Sequence, residues 1–205
     1  SHFFGQKFSK AYDIKYLNRE NKLDYPYQTS WGVSTRMMGA LIMVHSDDYG
    51  LVLPPRIAPN KVVIIPISND LEVMSMANDY LDKLKKEGIE AYIDDSEKSP
   101  GYKFAEAEVL GIPVRIEIGK RDLENNMITL VRRDTREKRE VFTNTDIIHD
   151  VKLLLEDIQR DMYDRALRRR EEMTYTCTDI EDFKDIINNH PGFVKAMWCG
   201  DTACE

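Results

Sequence analysis

Val62-Val63-Ile64-Ile65-Pro66-Ile67, six apolar residues without a break, is the stretch that decides the fold. A short continuous apolar run predicts a central strand buried on both faces, as in a parallel sheet covered by helices. Downstream, Met74, Ala77, Tyr80, Leu81 and Leu84 fall on one helical face, and Gly88 supplies a stop. Residues 89–93 resume as a strand, and residues 103–110 read as a short helix closed by Gly111. Residues 114–118 and 127–131 read as strands, and the polar turn at 134–138 leads into Val141-Phe142. The βαβαββ order over residues 60–145 implies a mixed α/β sheet with at least one right-handed crossover.

Upstream, Pro54, Pro55 and Pro59 form a stiff connector suited to a domain boundary. Residues 25–33 are rich in β-formers and end at Gly32; Ser34 or Thr35 is placed to cap a helix over residues 36–45. That helix carries Met37, Met38, Ala40, Leu41, Met43 and Val44, apolar almost all round, which predicts burial. The following His45-Ser46-Asp47-Asp48 reads as a solvated turn rather than a metal site. Downstream, Ile147, Val151, Leu154, Leu155, Ile158 and Met162 repeat at helical spacing, and Arg165, Arg168, Arg169 and Arg170 crowd the helix end, where cations suit its dipole. A smaller unit follows, with a helix over 180–188, the turn Pro191-Gly192 and a strand over 193–198.

The 205 residues carry 42% hydrophobic and 32% charged side chains, enough apolar content for a packed core. No run of 18 apolar residues exists, so no spanning helix is expected. The opening Ser1-His2-Phe3-Phe4-Gly5-Gln6 has neither a basic segment nor a long apolar one, so it is not a signal peptide and reads as a start inside a longer protein. Three cysteines (Cys177, Cys199, Cys204) without a signal fit a reducing, cytoplasmic compartment better than a disulfide framework; Cys177 reads as a small hydrophobe. A net charge of −7 argues against sequence-blind nucleic-acid binding but not against recognition of one RNA, because local patches matter more than totals. Between 115 and 139 the balance reverses, with eight Lys or Arg against five Asp or Glu.

Three stretches together carry a family likeness. The first is Thr29-Ser30-Trp31-Gly32-Val33-Ser34-Thr35-Arg36, with Gly39-Ala40-Leu41-Ile42-Met43-Val44-His45 and Gly50-Leu51-Val52-Leu53-Pro54-Pro55. The second is Pro100-Gly101-Tyr102-Lys103-Phe104, with Gly111-Ile112-Pro113-Val114-Arg115-Ile116-Glu117-Ile118-Gly119 and Arg121-Asp122. The third is Cys199-Gly200-Asp201-Thr202-Ala203-Cys204-Glu205. In this order they resemble the prolyl-tRNA synthetases of the archaeal/eukaryotic type. The resemblance implies three parts: the end of a class II antiparallel-sheet catalytic domain with motif 3 (1–58), a mixed-sheet α/β anticodon-binding domain (59–150), and a linking helix with the start of a small α+β zinc-type domain (151–205).

The resemblance further implies an ATP-dependent ligase that activates proline and transfers it to tRNA(Pro), working in the cytoplasm as a homodimer, with no membrane or DNA partner. Arg36 matches the motif 3 arginine that contacts ATP, where a rigid guanidinium stabilises charge building on phosphate oxygens. Ser34 and Thr35 lie beside the nucleotide in that reading, or serve simply as helix caps. His2, Ser30, Trp31 and Gly32 match positions lining the proline pocket, with Trp31 as an aromatic wall.

Phe104, Glu108, Arg115, Arg121 and Asp122 match positions that read anticodon bases, by stacking and by pairing guanine edges with carboxylates and Arg. The sequence departs from the family in one place: Lys120 stands where a Pro often precedes the basic residue, which keeps the charge and loosens the loop.

ATP with Mg²⁺ and a structural Zn²⁺ are implied for an intact enzyme. Cys199 and Cys204 supply two thiolates to such a zinc site, but four ligands are needed and no His stands at ligand spacing. Motifs 1 and 2 are not among these residues, so the 205 residues alone are expected to be inactive. The alternative is a non-catalytic tRNA-binding or regulatory module derived from a synthetase.

Overall fold

A computed structural model describes residues 1–198 and 200–201. The chain divides into two compact units, Ser1–Leu41 and Ile42–Glu205. The first unit is built from β1 (His2–Gly5), α1 (Lys7–Ala11), β2 (Tyr16–Leu17), β3 (Leu23–Asp24), β4 (Gln28–Ser30) and the first half of α2 (Arg36–His45). β1 pairs antiparallel with β4, and β2 with β3. The β-rich stretch 25–33 is a strand only over β4, because Pro26 has no N–H to give a ladder. Ser9 is fully buried where its hydroxyl donates to the Pro26 carbonyl at 2.8 Å, which anchors α1.

Helix α2 has the expected bounds but not the expected burial: none of its residues is buried, and Met43 is 78% exposed. Periodicity identifies an apolar surface and is silent on whether this chain supplies the element that covers it.

The second unit is organised by a five-stranded sheet in the order β6–β5–β7–β8–β9. Its strands are β5 (Val62–Pro66), β6 (Ala91–Ile93), β7 (Val114–Ile118), β8 (Met127–Arg132) and β9 (Lys138–Phe142). β5, β6 and β7 run parallel, whereas β8 and β9 run antiparallel. The helices are α3 (Leu71–Lys86), α4 (Pro100–Val109), the short α5 (Lys120–Glu124) and α6 (Ile147–Glu172). Ser99 caps α4, its hydroxyl accepting from the Tyr102 N–H, and Pro100 fits the first helical turn. Asp146 caps α6 by accepting from the His149 N–H at 3.1 Å.

One sheet face carries the main core. Val62, Ile64, Ile116, Ile128 and Leu130 pack there with Val73, Ala77 and Leu84 of α3 and with Ile147, Val151, Ile158 and Met162 of α6. The long amphipathic helix is therefore a covering layer of the sheet. The other face holds a smaller cluster of Val63, Ile65, Ala107 and Ile112 beneath α4, with Phe104 packed at its margin.

Residues 47–53 are pinned to the end of α4. The Leu51 N–H donates to the Val109 carbonyl at 3.1 Å, and the backbone passes so close that a Cβ on Gly50 would lie 2.4 Å from Val109 Cα. Gly50 (φ +137°) and Gly111 (φ +71°) both take backbone conformations that side chains disfavour. The expected solvated turn is thus an anchored one. Arg133, buried, donates from both terminal nitrogens to the two Asp47 oxygens at 2.8 and 2.7 Å and from Nε to the Glu108 carbonyl.

Beyond α6 lie β10 (Thr174–Thr176), α7 (Ile180–Asn189) and β11 (Phe193–Lys195), with β10 and β11 parallel. The strand expected over 193–198 ends at Lys195. Cys177 is buried.

Candidate functional site

On β7 the alternation of a strand sends Val114, Ile116 and Ile118 to the main core and Arg115 and Glu117 to the other face. Both charged side chains are nonetheless buried, at 6% and 5% exposure. α4 lies over this face and presents Phe104 and Glu108 one helical turn apart. Lys103, also buried, donates from its ammonium to the Asp94 carbonyl at 2.9 Å and ties the loop after β6 to α4.

The Arg115 guanidinium carbon lies 4.5 Å from the Phe104 ring centroid. Its Nε donates to Glu117 Oε1 at 2.9 Å, and its Nη1 donates to the Phe104 carbonyl at 3.3 Å and to Glu108 Oε1 at 3.4 Å. Nη2 takes part in none of these bonds. β8 and β9 extend the same surface: Arg115 stands opposite Val131, which stands opposite Lys138. The Lys138 ammonium reaches back to both Glu117 oxygens at 3.4 and 3.2 Å and lies 5.5 Å from the Phe104 ring centroid. An aromatic ring, a guanidinium, two carboxylates and an exposed ammonium thus share one sheet face. That mixture suits flat heterocycles with donor and acceptor edges, which stack on the ring and bond to the charges.

Of the five residues singled out for base reading, Phe104, Glu108 and Arg115 converge. Arg121 and Asp122 lie on α5, just past the end of β7, and neither joins the bonds of the cluster. Arg121 is exposed and Asp122 half-buried. Sequence reading passed over Glu117 and Lys138. The i, i+2 spacing from Arg115 was enough to place Glu117 on its face, whereas Lys138 needs the register of two antiparallel pairs.

Asp47 stands beside this site. The paired Arg133 guanidinium holds its carboxyl down at about 2, more than burial raises it. The neighbouring Arg136 guanidinium stacks 3.8 Å from the Tyr49 ring centroid, so the pinned segment and the β8–β9 turn hold each other. Burial, followed by the charge of Arg165, lowers the His45 pKa.

In the first unit, the β1–β4 register sets His2 opposite Ser30, and the His2 ring stacks 5.7 Å from Phe4. Trp31 follows Ser30 and is 80% exposed; the space around Gly32 is open. Arg36 opens α2, and its N–H donates to Ser34 Oγ at 3.4 Å. The candidates for binding a small amino acid and a nucleotide therefore come from adjacent loop and strand residues, without an enclosing wall in this unit. Cys199 and Cys204, the expected zinc ligands, lie outside the described residues. Among the described residues no group of three or more His, Cys, Asp or Glu is arranged to hold a metal, and no helix is long and apolar enough to cross a membrane.

A mixed sheet with a stacked arginine and aromatic on one face belongs to a known class: residues 61–147 match the family of the anticodon binding domain. The likeness extends over the whole chain. It is 52% identical over 206 residues to a proline–tRNA ligase of Lachnoclostridium phytofermentans and 51% identical to one of Clostridium botulinum, matching all of this chain and 43% of each ligase. A crystal structure of prolyl-tRNA synthetase from Cryptosporidium parvum, complexed with L-proline and AMP, superposes with a TM-score of 0.89 at 35% identity, over all of this chain and 44% of that one. The whole chain is thus similar to part of these prolyl-tRNA synthetases, and it spans less than half the length of these relatives.

Proposed function

We propose that the whole protein activates proline with ATP and transfers it to the 3′ end of tRNA(Pro), and that this chain supplies motif 3 and the anticodon-reading face. The observation that carries the proposal is the convergence of Phe104, Glu108 and Arg115 on one face of the sheet. In a chain half-identical throughout to proline–tRNA ligases, these residue types suit the guanines of a proline anticodon. Residues 59–150 act as the RNA-reading domain, 1–58 as the end of the catalytic domain, and 151–205 as the link into a C-terminal domain where Cys199 and Cys204 donate thiolates to zinc. Arg121 and Asp122 reach the RNA from α5. The protein works in the cytoplasm as a homodimer, with Mg²⁺ accompanying ATP.

The chemistry assigned to the first unit is positioning and charge stabilisation. Arg36 steadies charge on the nucleotide phosphates, with Ser34 and Thr35 beside it. His2, Ser30, Trp31 and Gly32 form one side of a compact proline pocket. In the whole protein, Arg36→Ala is expected to abolish proline-dependent ATP–pyrophosphate exchange and leave tRNA affinity near normal; retained exchange overturns the motif 3 assignment.

Fluorescence anisotropy of the 205-residue chain tests RNA reading, using a proline anticodon stem-loop and one with its two guanines replaced, at about 0.15 M salt to limit bulk electrostatics. Preference for the guanine loop is expected. Glu108→Ala or Arg121→Ala is expected to weaken that binding by about 1–3 kcal/mol, the scale of a bidentate base contact or a stacked base.

A further inference from the structure

We infer that Glu117 is a specificity-determining positioning residue: it fixes the Arg115 guanidinium and neutralises Lys138, so that this face selects bases rather than attracting any RNA. The inference rests on the reading of this face as the base-reading surface. Glu117 is buried and central. One oxygen accepts from Arg115 Nε, and both accept from the Lys138 ammonium. Held at Nε by Glu117 and at Nη1 by the Phe104 carbonyl and Glu108, the guanidinium lies against the Phe104 ring, and among the described residues only its Nη2 takes no bond.

A contact from Nη2 to a base edge demands that orientation, because the guanidinium is planar and rigid and its remaining N–H groups point in one fixed direction. Lys138 has no such constraint. Its side chain is largely exposed, and it meets the network through Glu117 and the Phe104 ring. A free ammonium there would attract phosphate of any sequence. One carboxylate therefore performs two tasks, orienting one cation and restraining another.

Glu117→Gln separates these tasks from mere support of the fold. The amide keeps the shape and an oxygen for Arg115, but its N–H₂ faces the Lys138 ammonium and one negative charge is lost. We expect the variant to bind the guanine-replaced loop more tightly than the parent chain does, with a salt slope steeper by about 0.7, the contribution of one further phosphate contact on a single strand. Preference for the guanine loop should fall by about tenfold, the scale of one hydrogen bond from a charged group.

Glu117→Asp, which keeps the charge, should hold the parent salt slope. A fold defect would lower binding to both loops and cannot raise one. Undiminished preference in Glu117→Gln with an unchanged salt slope overturns the inference while leaving the base-reading surface intact. Weaker binding of Glu117→Gln to both loops overturns it too. Absence of preference in the parent chain overturns the surface itself, and the inference with it.

Discussion

The two faces of β7 put opposite chemistry into similarly buried places. Val114, Ile116 and Ile118 on one side of β7 are fully buried, and Arg115 and Glu117 on the other side are nearly so. The first set gains from removal of apolar surface and needs no partner. The second is tolerable only because each charge has counter-charges and hydrogen bonds, and an ion pair of this kind contributes little net stability. A single five-residue strand thus divides the labour: one face holds the domain together, and the other holds in place the surface proposed to read bases.

Breaking the apolar side gives the largest expected effect. Ile116→Ala removes methyl groups from the main core and is expected to cost about 4 kcal/mol in urea unfolding, the usual scale for such a cavity. Guanine-loop preference should survive in the protein that remains folded. A loss of preference at unchanged stability would erase the distinction between the faces.

Arg115→Leu attacks the other side. It leaves Glu117 with Lys138 as its counter-charge, so about 2 kcal/mol of stability should be lost, less than for a buried charge left without any partner. Preference for the guanine loop should disappear altogether. Intact preference would mean that the stacked guanidinium is a structural brace and nothing more.

Much of this contrast was legible in the residues themselves, because it follows from local period. The run Val62–Pro66 and the alternation in Val114–Ile118 fix strands without any tertiary knowledge. So do the helical spacing of Ile147, Val151, Ile158 and Met162 and the stop at Gly88. Three features were not legible, each for a different reason. The short α5 and β10 carry too few residues to show a period. Lys138 joins the site only through strand register. Asp47 meets Arg133 across 86 residues, and adjacent carboxylates in a loop look the same whether solvated or paired.

The Asp47–Arg133 pair sharpens the comparison at a third place, the pinned segment beside the charged face. Asp47 is 38% exposed at its side chain, so the stability carried by its lowered pKa is screened to about 1 kcal/mol. A carboxyl whose pKa falls on folding stabilises above its unfolded value and loses that contribution as pH drops through the folded one. The stability gap between the parent chain and Asp47→Asn should therefore be constant above about pH 4 and close as pH falls toward 2. A gap that is flat across that range would show that the guanidinium is satisfied without the charge.

The smallest effect is expected where apolar residues stand uncovered. Helix α2 has apolar residues around most of its circumference, yet it buries none of them in this chain. Burial, not hydrophobicity, is what stabilises, so Met43→Gln should change the unfolding free energy by less than about 0.5 kcal/mol, as for other exposed positions. Gln and Met have similar helix propensities, which removes the other source of change. A cost of several times that size, measured on the chain as a monomer, would require Met43 to be covered. The contrast with Ile116 would then be one of degree rather than of burial against exposure. In the whole protein, where relatives carry more than twice this length, the same substitution should cost appreciably more if other parts of the protein cover the helix. The difference between the two measurements is thus a direct reading of how much of α2 is core only in the longer chain.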